Sequence, residues 1–348
     1  METRNLKCRC PDKAYNKSEK HVPKINELDS RILKILLKDG RTGYDAIAEL
    51  CEEPKNKIWK RCKAMEKKGI IKGATVQINF GQFGFAALAT LLISIDVQQM
   101  EQVMGFTEKM TEVRAFRQYN SVYNVRAFAT LRNLNELDYI KQLIKHKLPT
   151  IGLKTYIWAG VRNMPENLNL THTLKDTIEI SKRNSSQPIH KIGNEIKIDE
   201  LDKQLVQKLA INGRASFTKI AKEMDLSTDT VVKRYHRLRE NGTIKVSVQI
   251  NPNVIGYSSI LDFNIAFTTS NRLTDAVVES LAKIPDVIVI TKISGDYDLH
   301  LTAMVRDIAQ SFDIQDQITK VCGITKIEAS ARKIPDRWPT PLQHISTF

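Results

Sequence analysis

Apolar residues recur at helical spacing from Asn26 to Lys38, where Leu28, Ile32, Ile35 and Leu36 share one face. Gly40 follows in the place of a helix-ending glycine. A short helix is predicted from Tyr44 to Leu50 and a third from Lys55 to Lys68, with Pro54 suited to its first position and Gly69 ending it. The β-branched run from Ile71 to Phe80 then reads as a strand. Beyond it the texture changes. Ala89, Leu91, Ile93 and Ile95 alternate as in a half-buried strand, and a helix is predicted from Met100 to Met110. Strands Val113–Tyr119 and Tyr123–Leu131, a helix Leu134–Lys145 and a strand Leu153–Val161 complete the order β-α-β-β-α-β.

The same pattern then runs a second time. ELDSRILKILLKDGR (Glu27 to Arg41) returns as ELDKQLVQKLAINGR (Glu200 to Arg214), and GIIKGATVQINFGQFGF returns as GTIKVSVQINPNVIGY. Helices are predicted over Glu200–Ala210, Phe217–Met224 and Thr228–Asn241, the last started by Ser227 as N-cap, before a strand Ile244–Ile250. Leu261, Phe263, Ile265 and Phe267 alternate with polar or small neighbours, again as in a half-buried strand. A helix Leu273–Ile284, strands Val287–Ile293 and Leu299–Val305 around an SGDYD turn, a helix marked by Ile308, Phe312 and Ile318, and a strand Ile324–Ala331 follow. The expected fold is therefore α+β: two winged helix-turn-helix units alternating with two ferredoxin-like βαββαβ sandwiches. Boundaries are placed at 1–23 (basic arm), 24–80, 81–164, 165–198 (linker), 199–252, 253–334 and 335–348 (tail). Leu170, Leu174 and Ile178 are spaced for one helix inside the linker, but its SSQP segment is linker chemistry.

Composition narrows the partners. With 348 residues and 42% hydrophobic content the chain can fill several ordinary cores, so a disordered or fibrous class is excluded. No apolar run reaches the ~20 residues of a membrane span, and the N-terminus lacks a signal-peptide core. The reading is a cytoplasmic, nucleoid-associated protein with no membrane partner. Five cysteines form no disulfide-like arrangement. Cys8 and Cys10 with His21 do not supply four ligands at zinc-site spacing, so they read as incidental thiols of the arm. No phosphate-binding loop, triad or carboxylate pair is present, so no cofactor, metal or enzyme activity is expected. The net charge of +14 points to a polyanion, and double-stranded DNA comes first.

Its location sharpens this. From Lys55 to Lys72 eight basic residues face a single acid, Glu66. A helix there fits a major groove, which makes Lys55, Asn56, Lys57, Lys60, Arg61 and Lys63 candidate DNA contacts. The second copy offers Ser227, Thr228, Asp229, Thr230, Lys233, Arg234 and Arg237, a more mixed set able to touch base edges as well as phosphates. Ile58 and Met65, like Val231 and Leu238, are seven apart and are expected to face the core.

LDxxLxxxLxxNGR, the Ile-Ala pair, S-T-x-T-V-x-x-R-x-x-R-L-x-x-x-G-x-I and SGDYDLHL together make the second half resemble the Lrp/AsnC transcription regulators of bacteria and archaea. The first half matches in its winged unit but carries YNSVYNVRA where the second has KISGDYDLHL. The resemblance implies DNA binding through the winged units and sandwich (RAM-type) domains that pair through their sheets. It also implies a small amino-acid-like effector near Gly295, Asp296, Tyr297 and Asp298, although a plain hairpin explains that turn equally. Ser121 and Val122 replace Gly295 and Asp296 in the first half, so a one-sided response is expected. With both halves on one chain an intrachain pseudo-dimer follows, and further homo-oligomers stay open.

Two alternatives remain. The lysine-rich first helix also suits an architectural, chromatin-like DNA-binding protein. The string VRAFRQYNSVYNVRAF faintly resembles the siroheme decarboxylases, a side branch of the same superfamily, but it lacks the histidines they use. In the second half the matching stretch has only His300, where a structural role is expected.

Overall fold

A computed structural model describes residues 23–110, 113–119, 121–148, 150–171, 197–268 and 275–340. The basic arm with Cys8, Cys10 and His21, and Leu174 and Ile178 of the linker, lie outside the described residues. Among those described, no helix is long and apolar enough to cross a membrane.

The first unit comprises α1 (Glu27–Lys38), α2 (Tyr44–Cys51), α3 (Lys55–Lys67) and β1 (Ile71–Ile78). The second repeats it as α6 (Glu200–Ile211), α7 (Phe217–Met224), α8 (Thr228–Glu240) and β6 (Ile244–Ile250). Both copies start their first helix with a capping box, Asn26 with Asp29 and Asp199 with Asp202. Pro54 is the N-cap of α3 rather than its first helical residue, a shift of one position. Gly69 and Gly242 do end their helices in the left-handed region, at φ +70° and +66°.

Gly40 has a different job from the one its place suggested. The C-cap is Asp39 in an extended conformation, and Gly40 is not left-handed. Instead Gly40 N–H donates to the Val246 carbonyl at 2.8 Å, and a Cβ there would sit 2.7 Å from the Ser247 carbonyl carbon. Gly213 does the same toward β1, with its N–H 2.8 Å from the Ala74 carbonyl. The reason is that β1 and β6 pair antiparallel with each other, Val76 opposite Val246, so the wing is one ribbon shared by the two units. Their apolar faces merge into one core that also takes in Leu168 and Leu170. The start of the expected linker is thus packed: Asn167 donates to three carbonyls of the second sandwich, and Asn169 N–H to Asp286.

The sandwich strands are β2 (Ala87–Ile95), β3 (Val113–Arg117), β4 (Val125–Leu131) and β5 (Thr150–Asn163), then β7 (Ser259–Phe267), β8 (Val287–Ser294), β9 (Leu299–Val305) and β10 (Ile324–Lys333). They form one eight-stranded sheet in the order β10-β7-β9-β8-β5-β2-β4-β3, joined across the halves by β5 and β8. The outer edges meet through a two-way bridge, Tyr119 with Ala331, at 2.7 and 3.0 Å, so the sheet closes on itself. Helices α4 (Met100–Glu108), α5 (Asn135–Lys147), α9 (Asp275–Ala282) and α10 (Ile308–Thr319) cover its outside over two apolar cores.

Closure explains why the strands are not half-buried. Phe263 and Ile265 face the helices, while Asp262 and Asn264 between them are equally buried, at 0% and 2% exposed. In β7 the alternation separates an apolar outside from a polar inside, not a core from solvent.

Candidate nucleic-acid interface

In the third helix of each winged unit the inner face is apolar: Ile58, Cys62 and Met65 in α3, and Val231, Tyr235 and Leu238 in α8, are all buried. Burial drives the Cys62 thiol up to about 11, so it behaves as a small apolar group. The seven-residue spacing of Ile58 and Met65 and of Val231 and Leu238 marks this face.

The arginines are used inside the fold. Arg61 donates through Nε to Asp29 Oδ1 at 2.7 Å and through Nη2 to the second oxygen, a two-pronged pairing with the buried capping acid of α1. In the second copy Arg234 reaches Asp199 at 2.7 Å and Asp202 at 2.8 Å, and Arg237 reaches the other Asp202 oxygen. Burial alone would raise the Asp199 carboxyl, but the Asp202 backbone N–H and the Arg234 guanidinium hold it below the usual range. These pairs bolt the third helix of each unit to the first.

Lysines make the outer surface. Lys55 pairs with Asp45 at 2.8 Å, Lys57 with Glu53 at 2.7 Å and Lys63 with Glu66 at 2.7 Å, all largely in solvent. Such exposed pairs are worth about 0–1 kcal/mol. Lys60 and Asn56 are exposed on the same helix, as are Lys233 and Asp229 on α8, with Thr228 half-buried. Ser227 caps α8: its Oγ accepts from Thr230 N–H at 3.1 Å and lies 2.8 Å from the Thr230 hydroxyl. Trp59 is 48% exposed amid these lysines and escaped the residue-type reading. An aromatic residue on the lysine-bearing helix was the available signal, because a core tryptophan would be covered.

The two units are clamped together beside this surface. Arg41 Nη1 donates to the Gly213 and Ala215 carbonyls at 2.7 and 3.0 Å, and its guanidinium lies 4.0 Å from the Phe217 ring centre. Arg239, in the last turn of α8, pairs with Asp39 at 2.7 Å.

The Gly295–Asp298 turn sits where the two sandwiches meet. Gly295 has φ +151°, and a Cβ there would lie 2.5 Å from Tyr156 Cδ1 of the first half, so only glycine fits. Tyr297 is buried, stacks edge-on with Tyr156 at 6.1 Å, and its hydroxyl donates to Glu328 at 2.7 Å. Burial first, then that hydrogen bond, raises its pKa. Asp298 accepts from Phe267 N–H at 2.8 Å. Asp296 is exposed, as are Gly295 and Asp298, and lies 2.6 Å from Lys154 of the first half, whose ammonium lowers the Asp296 pKa.

Comparison with known proteins matches residues 198–239 to an AsnC-type helix-turn-helix domain, 25–72 to a winged helix-turn-helix DNA-binding domain, and 265–331 to an Lrp/AsnC ligand binding domain. An uncharacterized HTH-type transcriptional regulator of Pyrococcus abyssi is 32% identical over 145 residues, 41% of this chain and 90% of the relative. The HTH-type transcriptional regulator FL11 of Pyrococcus horikoshii is 28% identical over 130 residues, 37% of this chain and 85% of its own length. Among solved structures, the siroheme decarboxylase NirDL superimposes with TM-score 0.60 at 14% identity, covering 92% of this chain and 96% of that one, a likeness of fold.

Proposed function

The chain belongs to the Lrp/AsnC family of DNA-binding transcription regulators, and on that premise we propose that it reads an asymmetric operator with two unlike recognition helices. The observation that carries this reading is the shared β1–β6 wing, which holds α3 and α8 on one platform as a pseudo-dimer. A true homodimer repeats one helix and favours a palindrome. Here α3 offers mainly Lys55, Lys57, Lys60 and Lys63 for phosphates, with Asn56 beside them. Helix α8 offers Ser227, Thr228, Asp229, Thr230 and Lys233, a set suited to base edges. Arg61, Arg234 and Arg237 support both helices from behind. Hydroxyl-radical footprinting on selected binding sites tests the reading. Unlike protection of the two half-sites is expected; a perfect palindrome bound equally on both arms overturns it. A purely architectural binder would instead lose affinity steeply with salt and barely distinguish genomic from random DNA.

For the effector, we propose that an amino-acid-like ligand meets the Asp296 carboxylate at the junction of the sandwiches, on the second half only. Calorimetric titration of amino acids against the wild type and Asp296→Ala checks this, and heats unaffected by the substitution count against it. The whole-chain likeness to NirDL favours a second reading, an enzyme acting on siroheme. A red-shifted band on mixing supports that reading, and an unchanged siroheme spectrum removes it.

A further inference from the structure

The closed sheet and the wing platform enclose a cavity of about 1210 Å³, larger than the roughly 300–1,000 Å³ of an ordinary small-molecule pocket. One wall is aromatic. Phe116, Phe128 and Trp158 line it in a row, with ring centres 5.7 and 5.6 Å apart and each pair edge to face. Beside them on the same face of β3 and β4 lie Arg114 and Thr130. The second half adds Thr291, His300 and Arg332 to the lining, the last with its guanidinium 5.3 Å from the Phe116 ring centre.

The polar groups of this cavity are incompletely matched. Arg332 Nε donates to Asp262 at 2.7 Å, and His300 Nε2 lies 3.3 Å from the same carboxylate. Arg114 has no such partner among the described residues: its Nη1 is buried without a hydrogen bond, and its guanidinium lies 5.4 Å from the Phe116 ring centre. The hydroxyls of Thr130 and Thr291, from opposite halves, are likewise buried and unpartnered. Buried donors left unmatched are costly, and a ligand that supplies acceptors beside the aromatic rings would satisfy these three. Burial, and then the neighbouring Arg332 charge, hold the Arg114 pKa below its ordinary value, a penalty that a negative group would offset.

We propose that this cavity binds a flat, apolar carboxylate, with its acid group on Arg114 and its body against Phe116, Phe128 and Trp158. The site is separate from the Gly295–Asp298 turn, none of whose residues lines the cavity. It needs both halves, because each supplies part of the lining. It also adjoins the DNA-binding platform, since Arg239 and Lys245 line its other end.

The test is a fluorescence titration of the full chain with 1-pyrenebutyrate, run beside the uncharged 1-pyrenebutanol. The acid is expected to saturate a single site per chain. The alcohol, and the acid on Arg114→Gln, are each expected to bind about tenfold more weakly, about 1.4 kcal/mol. Arg114→Lys should recover part of that loss. Equal binding of acid and alcohol overturns the proposal, as does a folded Arg114→Gln protein with undiminished affinity, or absence of saturation. The alcohol comparison needs no variant and decides the matter even where Arg114→Gln fails to fold. DNA retardation by Arg114→Gln is expected to be unchanged without ligand, so failure here leaves the operator reading standing.

Discussion

Arginine and lysine stand differently on α3 and α8, and the operator proposal makes that difference measurable. Arg237 is held by Asp202, whose side chain is fully buried, whereas Lys233 stands in solvent. Arg237→Ala leaves that carboxylate with one partner fewer and is expected to cost about 1–3 kcal/mol of stability. Its effect on DNA should come through the fold, with the salt dependence of binding unaltered. Lys233→Ala should leave the melting temperature in place and reduce the salt slope by about one phosphate contact. The opposite assignment would refute the division. Glycines split in the same way. Gly40→Ala forces a Cβ against the Ser247 backbone and should destabilise by about 1–3 kcal/mol. Gly105, inside α4 with nothing near its would-be Cβ, should gain about 0.5–1 kcal/mol as alanine. Thermal melts of the two variants must move in opposite directions. The partners were not legible in the chain, where Gly40 reads as a helix stop and nothing marks Arg61 as the mate of Asp29. The deciding partners are Ser247 and Asp29, far away in sequence.

Helices were legible to within a residue or two, because their apolar stripe and caps are local. Strands were legible in position but not in environment. β7 alternates apolar with polar as a surface strand does, yet Asp262 and Asn264 point into the closed sheet. There Asp262 collects Thr302 at 2.9 Å, Arg332 at 2.7 Å and His300 at 3.3 Å. Burial first, then the Arg126 charge, brings the His300 pKa down to about 4, so the ring is neutral at neutral pH. In the unfolded chain the same group titrates near 6.5. The unfolded state therefore binds the proton first, and folding stability falls as pH drops from about 6.5 to about 4. The loss amounts to roughly 3 kcal/mol across that window. His300→Gln should flatten the profile there while leaving the steeper carboxylate-driven loss at lower pH. Urea melts at half-unit pH steps would reveal an unflattened curve if another group were responsible.

The two-copy pattern was plain in the sequence, but which strand joins which was not, since register between distant segments has no local signature. Two ribbons carry the join. β1 pairs with its equivalent β6, whereas β5, the last strand of the first sandwich, pairs with β8, the second strand of the other, and the Tyr119–Ala331 bridge is the reciprocal junction between the ends of β3 and β10. The wing pairs like with like and the two sandwich junctions are reciprocal, so either half retains the geometry to pair with a copy of itself. A chain of residues 23–171 alone would expose β1, β5 and the buried core around Gly40, and an open edge of that kind seeks a partner. It should therefore form a homodimer that pairs β1 with β1 and β5 with β3 of the second copy. Its melting temperature should rise with protein concentration, because association is then part of folding. The full-length chain has both partners in cis, so its melting should not shift with concentration. Sedimentation velocity with melts over a hundredfold concentration range measures both. A half that stays a monomer with concentration-independent melting would mean that the joining strands follow from folding rather than drive it.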